Sequence, residues 1–242
     1  MSDLFQKVKI YGFKKSIEYA INELKLLLVK LIRKSYSQHQ EDLVISHLLN
    51  NKKNGFYVDI GANDPDRFSN TKKFYKKGWF GINVEPNPVL FKKFATRNND
   101  INLNIGISDK NTILRFYSFI PNTISTFSKD MSLSYQKQGY KLIKKYDVDV
   151  MTLEKVFNKN VGDRQIDFLS IDVEGFEMEV LRSNNWKKYK PTIICLESID
   201  HNMDGTGTNN IKQHVNFLHT YNYELVHFNG INSIFKLNRI VE

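Results

Sequence analysis

Short apolar runs that alternate with helical patterns constrain this chain more than any other feature. Between residues 56 and 221, the apolar runs are bounded by Gly, Asn or Pro and separated by stretches with apolar residues at helical spacing. Because strands alternate with helices, the sequence predicts an α/β fold with a mostly parallel, doubly wound sheet. The strand signals are 56–60, 79–85, 101–107, 166–173 and 192–197.

The remaining segments predict the borders of the sheet. Residues 223–228 and 234–237, with Asn229-Gly230 between them, predict a hairpin that adds an antiparallel strand at the C-terminal edge. Residues 113–119 are expected to pair as a hairpin with the strand at 101–107. Residues 121–147 have no clear period, so we expect a long loop, which inside a compact domain is usually functional.

Positive charge is concentrated at the N-terminus. The net charge is +9, and residues 1–40 carry +5 of it, from eight Lys/Arg and three acidic residues. Apolar residues at helical spacing predict a helix over 16–34. We expect residues 1–50 to be a basic helical arm and 51–242 to be the main domain. The arm could contact an anionic membrane surface, mediate self-association, or be a solvated helix.

Composition excludes several classes of protein. The single cysteine, Cys195, excludes an internal disulfide framework and a cysteine-rich zinc site. No stretch approaches the length of a membrane span, because lysines interrupt the most apolar one at 24–32. The N-terminus lacks the pattern of a cleaved signal. We therefore expect a cytoplasmic protein, which the arm could bring to the inner face of the membrane.

Acidic and small residues follow the predicted strands, and parallel α/β sheets bind ligands at those strand ends. The first strand ends at Asp59-Ile60-Gly61-Ala62-Asn63, where Gly61 would allow a ligand close to the backbone. The second ends at Glu85, where an acid in a nucleotide-binding fold accepts hydrogen bonds from ribose hydroxyls. The pair predicts a nucleoside-binding pocket.

The glycine pattern favours one type of nucleoside. Gly61 has no partners for the G-x-G-x-x-G loop that holds a pyrophosphate, and no ATPase phosphate loop is present. Asp64 and Asp66 follow, and these acids would repel a pyrophosphate. They are compatible with the positive charges of S-adenosylmethionine, which is therefore the expected cofactor.

The sequence resembles the FkbM-type family of S-adenosylmethionine-dependent methyltransferases over roughly residues 38–237. The resemblance implies a Rossmann-like class I methyltransferase sheet and methyl transfer to oxygen, often of a sugar hydroxyl. Gly106 departs from the pattern, since similar sequences more often have Ala there. The resemblance lies in QEDL (40–43), FYVDIGANDP (56–65), SNT (69–71), GWFGINVEPNP (78–88) and IDFLSIDVEGFE (166–177).

The resemblance also implies which residues hold the cofactor. The end of the first strand would line its methionine portion, Glu85 would hold the ribose, and Asn104 to Asp109 would border the adenine. The expected cofactor-binding residues are Asp59, Gly61, Ala62, Asn63, Ser69, Asn70, Glu85, Pro86, Asn104, Ser108, Asp109 and Asp172.

Methyl transfer to an alcohol also needs a group that accepts the hydroxyl proton. Asp172 and Glu174 end the central strand, and Glu197 and His201 follow the next one, so these four are the catalytic candidates. His201 has the ordinary pKa best suited to a base near neutral pH. Asp172 and Glu197 could instead ligate a divalent metal, and the sequence leaves the metal question open.

The acceptor is expected to bind at the loops 121–147 and 198–210. Ser125, Thr126, Tyr135 and Tyr140 could bind a polyhydroxylated molecule. Lysines could meet the phosphates of a nucleotide-linked sugar, which suggests capsule or cell-envelope polysaccharide synthesis: Lys129, Lys137, Lys141, Lys144 and Lys145.

Other functions remain open from the sequence alone. The acceptor could be another small-molecule hydroxyl or a phosphorylated molecule. A short-chain oxidoreductase fits poorly, because Tyr140 and Lys144 have the right spacing but lie in the long loop expected at 121–147 rather than on a core helix. A non-catalytic membrane- or RNA-binding module would use the basic arm, although the acidic strand ends argue against nucleic acid as a partner.

Overall fold

This computed structural model describes residue 32 and residues 34–201, 207–209 and 211–238, and of 199–201 and 207–209 it describes the backbone alone. The helix expected at 16–34 lies outside the described residues, apart from its last positions. In the described part of the chain, no helix has the length and apolar character needed to cross a bilayer.

Twelve strands and seven α-helices make up the described fold. The strands are β1 (Phe56–Ile60), β2 (Phe80–Val84), β3 (Ile101–Leu103), β4 (Gly106–Ile107), β5 (Thr112–Ile120), β6 (Lys141–Met151), β7 (Phe168–Ile171), β8 (Ile193–Glu197), β9 (Ile199–His201), β10 (Gly207–Asn209), β11 (Tyr223–Phe228) and β12 (Asn232–Leu237). The helices are α1 (Glu41–Leu48), α2 (Lys72–Lys76), α3 (Pro88–Phe91), α4 (Lys129–Lys137), α5 (Leu153–Asn160), α6 (Glu177–Arg182) and α7 (Ile211–His219); 3-10 turns cover Lys92–Thr96 and Asn122–Ile124.

The main sheet has seven strands in the order β11-β12-β8-β7-β1-β2-β3. Every pair from β8 to β3 is parallel, and β12 is antiparallel to both of its neighbours. This confirms the predicted mostly parallel α/β sheet with an antiparallel C-terminal strand. That strand lies inside the sheet rather than at its edge, because β11 pairs with its other side, and Ser233, Ile234 and Phe235 are accordingly fully buried.

The main sheet has an apolar layer on each face, and alternate side chains of β1 point into one layer or the other. Val58 and Ile60 face one layer, which contains α5, α6 and α7, whereas Tyr57 faces the other, with Phe74 of α2. Ile45 of α1 also packs in the second layer, so α1 packs onto the sheet. This helix precedes residue 50, where the domain boundary is expected, and that boundary stays a prediction.

Residues 121–147 are more regular than their sequence indicates. They contain α4 and most of β6, and β5 pairs with β6 rather than with the strand at 101–107, so that pairing was predicted wrongly. Together with β4, these strands form a second, three-stranded sheet. The sequence shows no regular alternation of apolar and polar residues there, because much of β6 is exposed to solvent. The exposed residues of β6 include Lys141, Lys144 and Lys145. We call residues 106–151 the insertion.

Several helices begin where a polar side chain satisfies the first free N–H groups. The Asn87 side chain accepts from the Val89 amide at 3.0 Å, and Pro88 occupies the first position of α3. Ser128 and Thr152 accept in the same way at the starts of α4 and α5. These caps fix where each helix leaves the preceding strand or loop.

Candidate active site

Four parallel strands end side by side at one edge of the main sheet. The register pairs Ile60 with both Val84 and Ile171, and Ile171 with Leu196. The residues that follow, Gly61, Glu85, Asp172 and Glu197, therefore meet at that edge. There they line a cavity of about 260 Å³.

The loop after β1 forms the floor of this cavity and requires glycine for a reason that the sequence did not reveal. Gly61 has a φ of 79°, a left-handed conformation that favours glycine. A Cβ atom there would lie 1.8 Å from the carbonyl oxygen of Asp172. Gly61 therefore allows the ends of β1 and β7 to pack together, in addition to lining the cavity.

Glu85 closes one end of the cavity, with its side chain 4% exposed. One carboxylate oxygen accepts from the Asn63 amide and the other from the Asn87 amide, each at 2.7 Å. Burial, together with the negative charges of Asp59 and Asp172, raises the pKa of Glu85 to about 7. Since each oxygen retains a further lone pair, the carboxylate can still accept bonds from a ligand's hydroxyl groups.

A layer of polar side chains supports the floor from below. Asp59 is buried and accepts a 2.7 Å hydrogen bond from the Thr71 hydroxyl, while burial raises its pKa to about 6. Asn70 donates to the Ser170 hydroxyl at 3.1 Å. These bonds connect β1, β7 and the loop that leads into α2, so they hold the cavity floor to the sheet.

A group of carboxylates faces the opposite end of the cavity. Asp172 lines the cavity and is exposed to it, while partial loss of water from the surrounding protein, with the charges of Asp59 and Glu41, raises its pKa to about 7. Burial and the charge of Asp172 raise the pKa of Glu174 well above its usual value. Glu177, which accepts from the Val173 and Gly175 amides, has its pKa raised to about 7, mainly by burial.

Asp172 and Glu174 could share a ligand with Glu197, the last residue of β8. Carboxylate oxygens of Asp172, Glu174 and Glu197 lie within 4.8 Å of one another, which is close enough for one divalent cation. Such oxygens could equally share a proton with an acceptor hydroxyl. The arrangement is therefore able to hold either a metal or a reacting alcohol, and the metal question stays open.

The insertion forms the roof of the cavity. Asn122, Thr123, Ile124, Ser125 and Phe127 all line it. The side-chain amide of Asn63 donates to the Asn122 carbonyl at 3.4 Å, so the roof also contacts the loop after β1.

The insertion also holds Glu174 directly. Glu174 has a φ of 54°, an uncommon backbone conformation for a side chain of this size. The Thr126 hydroxyl donates to its carbonyl at 2.8 Å, and the Tyr135 hydroxyl donates to its carboxylate. The backbone and the side chain of Glu174 are therefore both fixed by the insertion.

Residues from the two ends of the chain complete the cavity. Gln38, Ile231 and Asn232 line it, and the Glu41 carboxylate accepts from the side-chain amide of Asn232 at 2.6 Å. Neither Gln38 nor Asn232 was expected from the sequence. The nearest recognisable sequence features are the QEDL run at 40–43 and the Asn229-Gly230 turn, and neither of them indicated a binding site.

Most of the residues predicted from the sequence come together here. Asn104 donates to the carbonyls of Glu85 and Pro86, and Asn104, Ser108 and Asp109 are not among the lining residues. The backbone of His201 lies in β9, and its side chain is outside what the structure describes. The roles expected for these site residues stay predictions, both for those that line the cavity and for those that do not. Those that line the cavity are Asp59, Gly61, Ala62, Asn63, Ser69, Asn70, Glu85, Pro86, Asp172, Glu174 and Glu197.

The residues expected to bind the acceptor divide into two groups. Ser125 lines the cavity, and Thr126 and Tyr135 contact Glu174, whereas the ring of Tyr140 packs against Tyr135. The five candidate lysines of the insertion, at positions 129, 137, 141, 144 and 145, are not among the lining residues.

Comparison with known proteins identifies related sequences and structures. A family model described as the methyltransferase FkbM domain matches residues 59–225. The precorrin-6y C5,15-methyltransferase of Geobacter metallireducens GS-15 aligns with a TM-score of 0.46 and 12% identity, over 85% of this chain and 92% of that chain. A proposed caffeoyl-CoA O-methyltransferase of Staphylococcus aureus aligns with a TM-score of 0.43 and 11% identity, over 90% of this chain and 92% of that chain. No curated protein sequence matches the chain.

Proposed function

The chain belongs to the FkbM methyltransferase domain family, and from that premise we propose that it transfers a methyl group from S-adenosylmethionine to a hydroxyl oxygen of a sugar. One observation carries this proposal. A single cavity joins Glu85, which is suited to ribose hydroxyls, to the carboxylates of Asp172, Glu174 and Glu197, which are suited to a reacting alcohol.

The chemistry of the cavity fits the methyl donor. Glu85 would accept from the ribose hydroxyls with the lone pairs that the Asn63 and Asn87 amides leave free. The pKa values of Asp172 and Glu85 are raised mainly by loss of water and further by neighbouring carboxylates, and a cationic ligand would stabilise the ionised forms of both acids. When bound, the cofactor supplies an electrophilic methyl group on a positively charged sulfur.

The protein's own residues would orient the acceptor and remove its proton. The hydroxyl proton of the acceptor would pass to a nearby carboxylate as its oxygen takes the methyl group, and the cofactor would leave as its demethylated, uncharged thioether. Asp172 is the leading base, because its side chain opens to the cavity and its raised pKa brings it near neutrality. Glu174 and Glu197 would then position the hydroxyl.

The lining of the cavity supports a polyhydroxylated acceptor. Beyond the carboxylates it presents amide and hydroxyl groups from three separate segments, which can bind several hydroxyls at once. A nucleotide-linked sugar or a polysaccharide precursor in capsule or cell-envelope synthesis would match this lining. The polar groups are those of Gln38, Asn122, Thr123, Ser125 and Asn232.

A methyl-transfer assay tests the proposal. The full-length protein would be incubated with methyl-labelled S-adenosylmethionine and a panel of nucleotide-linked sugars, with and without EDTA. We expect label in at least one sugar, and loss of at least a hundredfold in rate for Asp172→Asn. Loss of activity with EDTA, restored by a divalent cation, would assign the carboxylates to a metal. Absence of transfer, with no thermal stabilisation by the cofactor, would refute the proposed function.

A further inference from the structure

Glu41 is a buried acid beside the cavity that takes no direct part in the proposed methyl transfer. It belongs to the QEDL run at 40–43, begins α1, and is 1% exposed. Burial of a carboxylate is costly unless hydrogen bonds replace the lost water. Here one oxygen accepts from the backbone amide of His39 at 2.9 Å, and the other accepts from the side-chain amides of Asn229 and Asn232, at 2.9 Å and 2.6 Å. Glu41 therefore joins the segment before α1 to the turn of the C-terminal hairpin.

The bond to Glu41 fixes which end of the Asn232 side chain is available to a ligand. A carboxylate accepts hydrogen bonds and has none to donate, so Asn232 must turn its NH2 group toward Glu41. The carbonyl oxygen, Oδ1, is on the other branch of the planar amide, and Asn232 lines the cavity. Among the residues that the structure describes, no donor bonds to this oxygen. Asn232 therefore offers the cavity a hydrogen-bond acceptor whose orientation is set by Glu41.

The groups around Asn232 favour an uncharged donor over an anion. Asn232 lies opposite Glu197 in the pairing of β12 with β8. Carboxylate oxygens of Glu197, Asp172 and Glu174 lie within 4.8 Å of one another. A phosphate at this end of the cavity would add negative charge to a group of acids, which is unfavourable, whereas a neutral hydroxyl can donate to an amide oxygen.

The hydroxyl that Asn232 would bind differs from the one that is methylated. A hydroxyl has one proton, so a hydroxyl that gives its proton to Asp172 cannot also donate to Asn232. We propose that Asn232 binds a second, uncharged hydroxyl of the acceptor and that Glu41 is its positioning residue. This role rests on the proposed methyl transfer to a sugar. The phosphates of a nucleotide-linked acceptor would then lie away from this wall.

Sugars that lack one hydroxyl test the role of Asn232. The probes are the nucleotide-linked sugar that accepts label in the methyl-transfer assay and its monodeoxy analogues. Asn232→Ala should lower kcat/KM for the parent sugar roughly tenfold, the effect of about one hydrogen bond. For one deoxy analogue, the unmodified chain should show a similar loss and the variant no further loss. An equal loss by the variant on every analogue would overturn the proposal, because a merely structural role affects all acceptors alike.

The positioning role of Glu41 has a separate readout. Glu41→Gln keeps the size of the side chain but can turn its own NH2 group toward Asn232, so the orientation of Asn232 is no longer fixed. We expect this variant to lower kcat/KM for the parent sugar, and to add no further loss to Asn232→Ala in the double variant. Rates at pH 8.5, above the pKa of about 7 of Asp172, limit the effect of removing the Glu41 charge. Additive losses would overturn the positioning role.

A matched asparagine provides the control. Asn238 directly follows the other end of β12 and donates to Glu224 at 3.4 Å, and neither residue is among those that line the cavity. Asn238→Ala should leave kcat/KM unchanged for every analogue.

Cofactor binding separates this role from the integrity of the cavity. All the variants should retain thermal stabilisation by S-adenosylmethionine, because Glu85 lies at the opposite end of the cavity. Loss of that stabilisation in Asn232→Ala would mean that Asn232 maintains the cavity as a whole, which would overturn its role in binding the acceptor. Absence of transfer to every sugar by the unmodified chain would instead refute the proposed function, and this role with it.

Discussion

The hydroxyl of Tyr135 donates a 2.9 Å hydrogen bond to the Glu174 carboxylate, although the two residues are 39 positions apart. Tyr135 lies on α4, in the insertion, and Glu174 follows the central strand β7. The insertion therefore does more than cover the cavity, because it controls the environment of one of its acids.

Removal of this hydroxyl should alter the titration of Glu174. The bond stabilises the ionised carboxylate and lowers its pKa, opposing the effect of burial. In Tyr135→Phe, the pKa of Glu174 rises further, so any limb of the pH profile for kcat/KM that requires ionised Glu174 to position the acceptor should move to higher pH. Initial rates between pH 5.5 and 9 would measure the shift.

The same variant distinguishes electrostatics from packing. Phenylalanine keeps the ring that contacts Phe119 and Tyr140. A lower kcat with an unchanged pH profile would mean that Tyr135 acts only through packing. Tyr146→Phe, in the same insertion, should leave the profile as it is.

The stability of the protein should fall as the pH rises through neutrality. The pKa values of Asp59, Glu85 and Asp172 are raised to about 6, 7 and 7, above the values of about 4 in an unfolded chain. Between pH 4 and roughly 7, the folded state therefore binds more protons than the unfolded state, and stability declines as pH increases. We expect a thermal midpoint several degrees lower at pH 8 than at pH 5.5.

A cationic ligand should offset this decline. S-adenosylmethionine carries a positive sulfur that its demethylated product lacks, so the difference between their stabilising effects isolates that charge. We expect the difference in thermal midpoint to be larger at pH 8 than at pH 5.5. An equal difference at both pH values would contradict a role for the acidic cavity in cofactor binding.

Glu85 should contribute strongly to cofactor affinity. A hydrogen bond to a charged group contributes about 1.5–3 kcal/mol, so Glu85→Gln should weaken S-adenosylmethionine binding roughly ten- to hundredfold. Isothermal titration calorimetry would give the dissociation constants. Glu224→Gln, the same change at an exposed position of β11, is the control and should bind normally.

Two arginines offer a matched test of buried and exposed charge. Arg97 is completely buried, where it donates to the Tyr57 hydroxyl, to Ser69 and to the Pro65 carbonyl. Its loss in Arg97→Met leaves Asp100 as a buried acid without its cation, so the free energy of unfolding should fall by about 3–5 kcal/mol.

Arg115 provides the comparison. It forms an exposed 2.8 Å pair with Asp147 on the hairpin of the insertion. Arg115→Met should change the free energy of unfolding by less than about 1 kcal/mol. Urea denaturation would measure both variants, and similar values would show that the buried network adds little to stability.

The main sheet could be predicted from the sequence because its strands are short, apolar and bounded by turn residues. Residues 166–173 and 192–197 are clear examples, and β7 and β8 lie within them. The insertion could not be predicted in this way, since β6 has solvent on much of its surface and no apolar period marks it. The pairing of β6 with β5 and β4 specifies that strand.

The part of the site that lies at the ends of adjacent parallel strands could be predicted from the sequence. Gly61, Glu85 and Asp172 each follow a strand directly, so the fold alone brings them together. The Tyr135–Glu174 bond and the position of Asn232 depend on long-range packing, which spacing along one sequence does not encode. The reason for glycine at position 61 likewise required the position of the Asp172 carbonyl.

The reversed direction of β12 has a consequence for synthesis of the protein. Because β12 runs against β8, its first residue, Asn232, lies opposite Glu197 and bonds to Glu41. One wall of the cavity thus comes from a hairpin that the ribosome produces after every other part of the pocket. A nascent chain can assemble the parallel strands early, but it cannot enclose a ligand until this late hairpin has emerged.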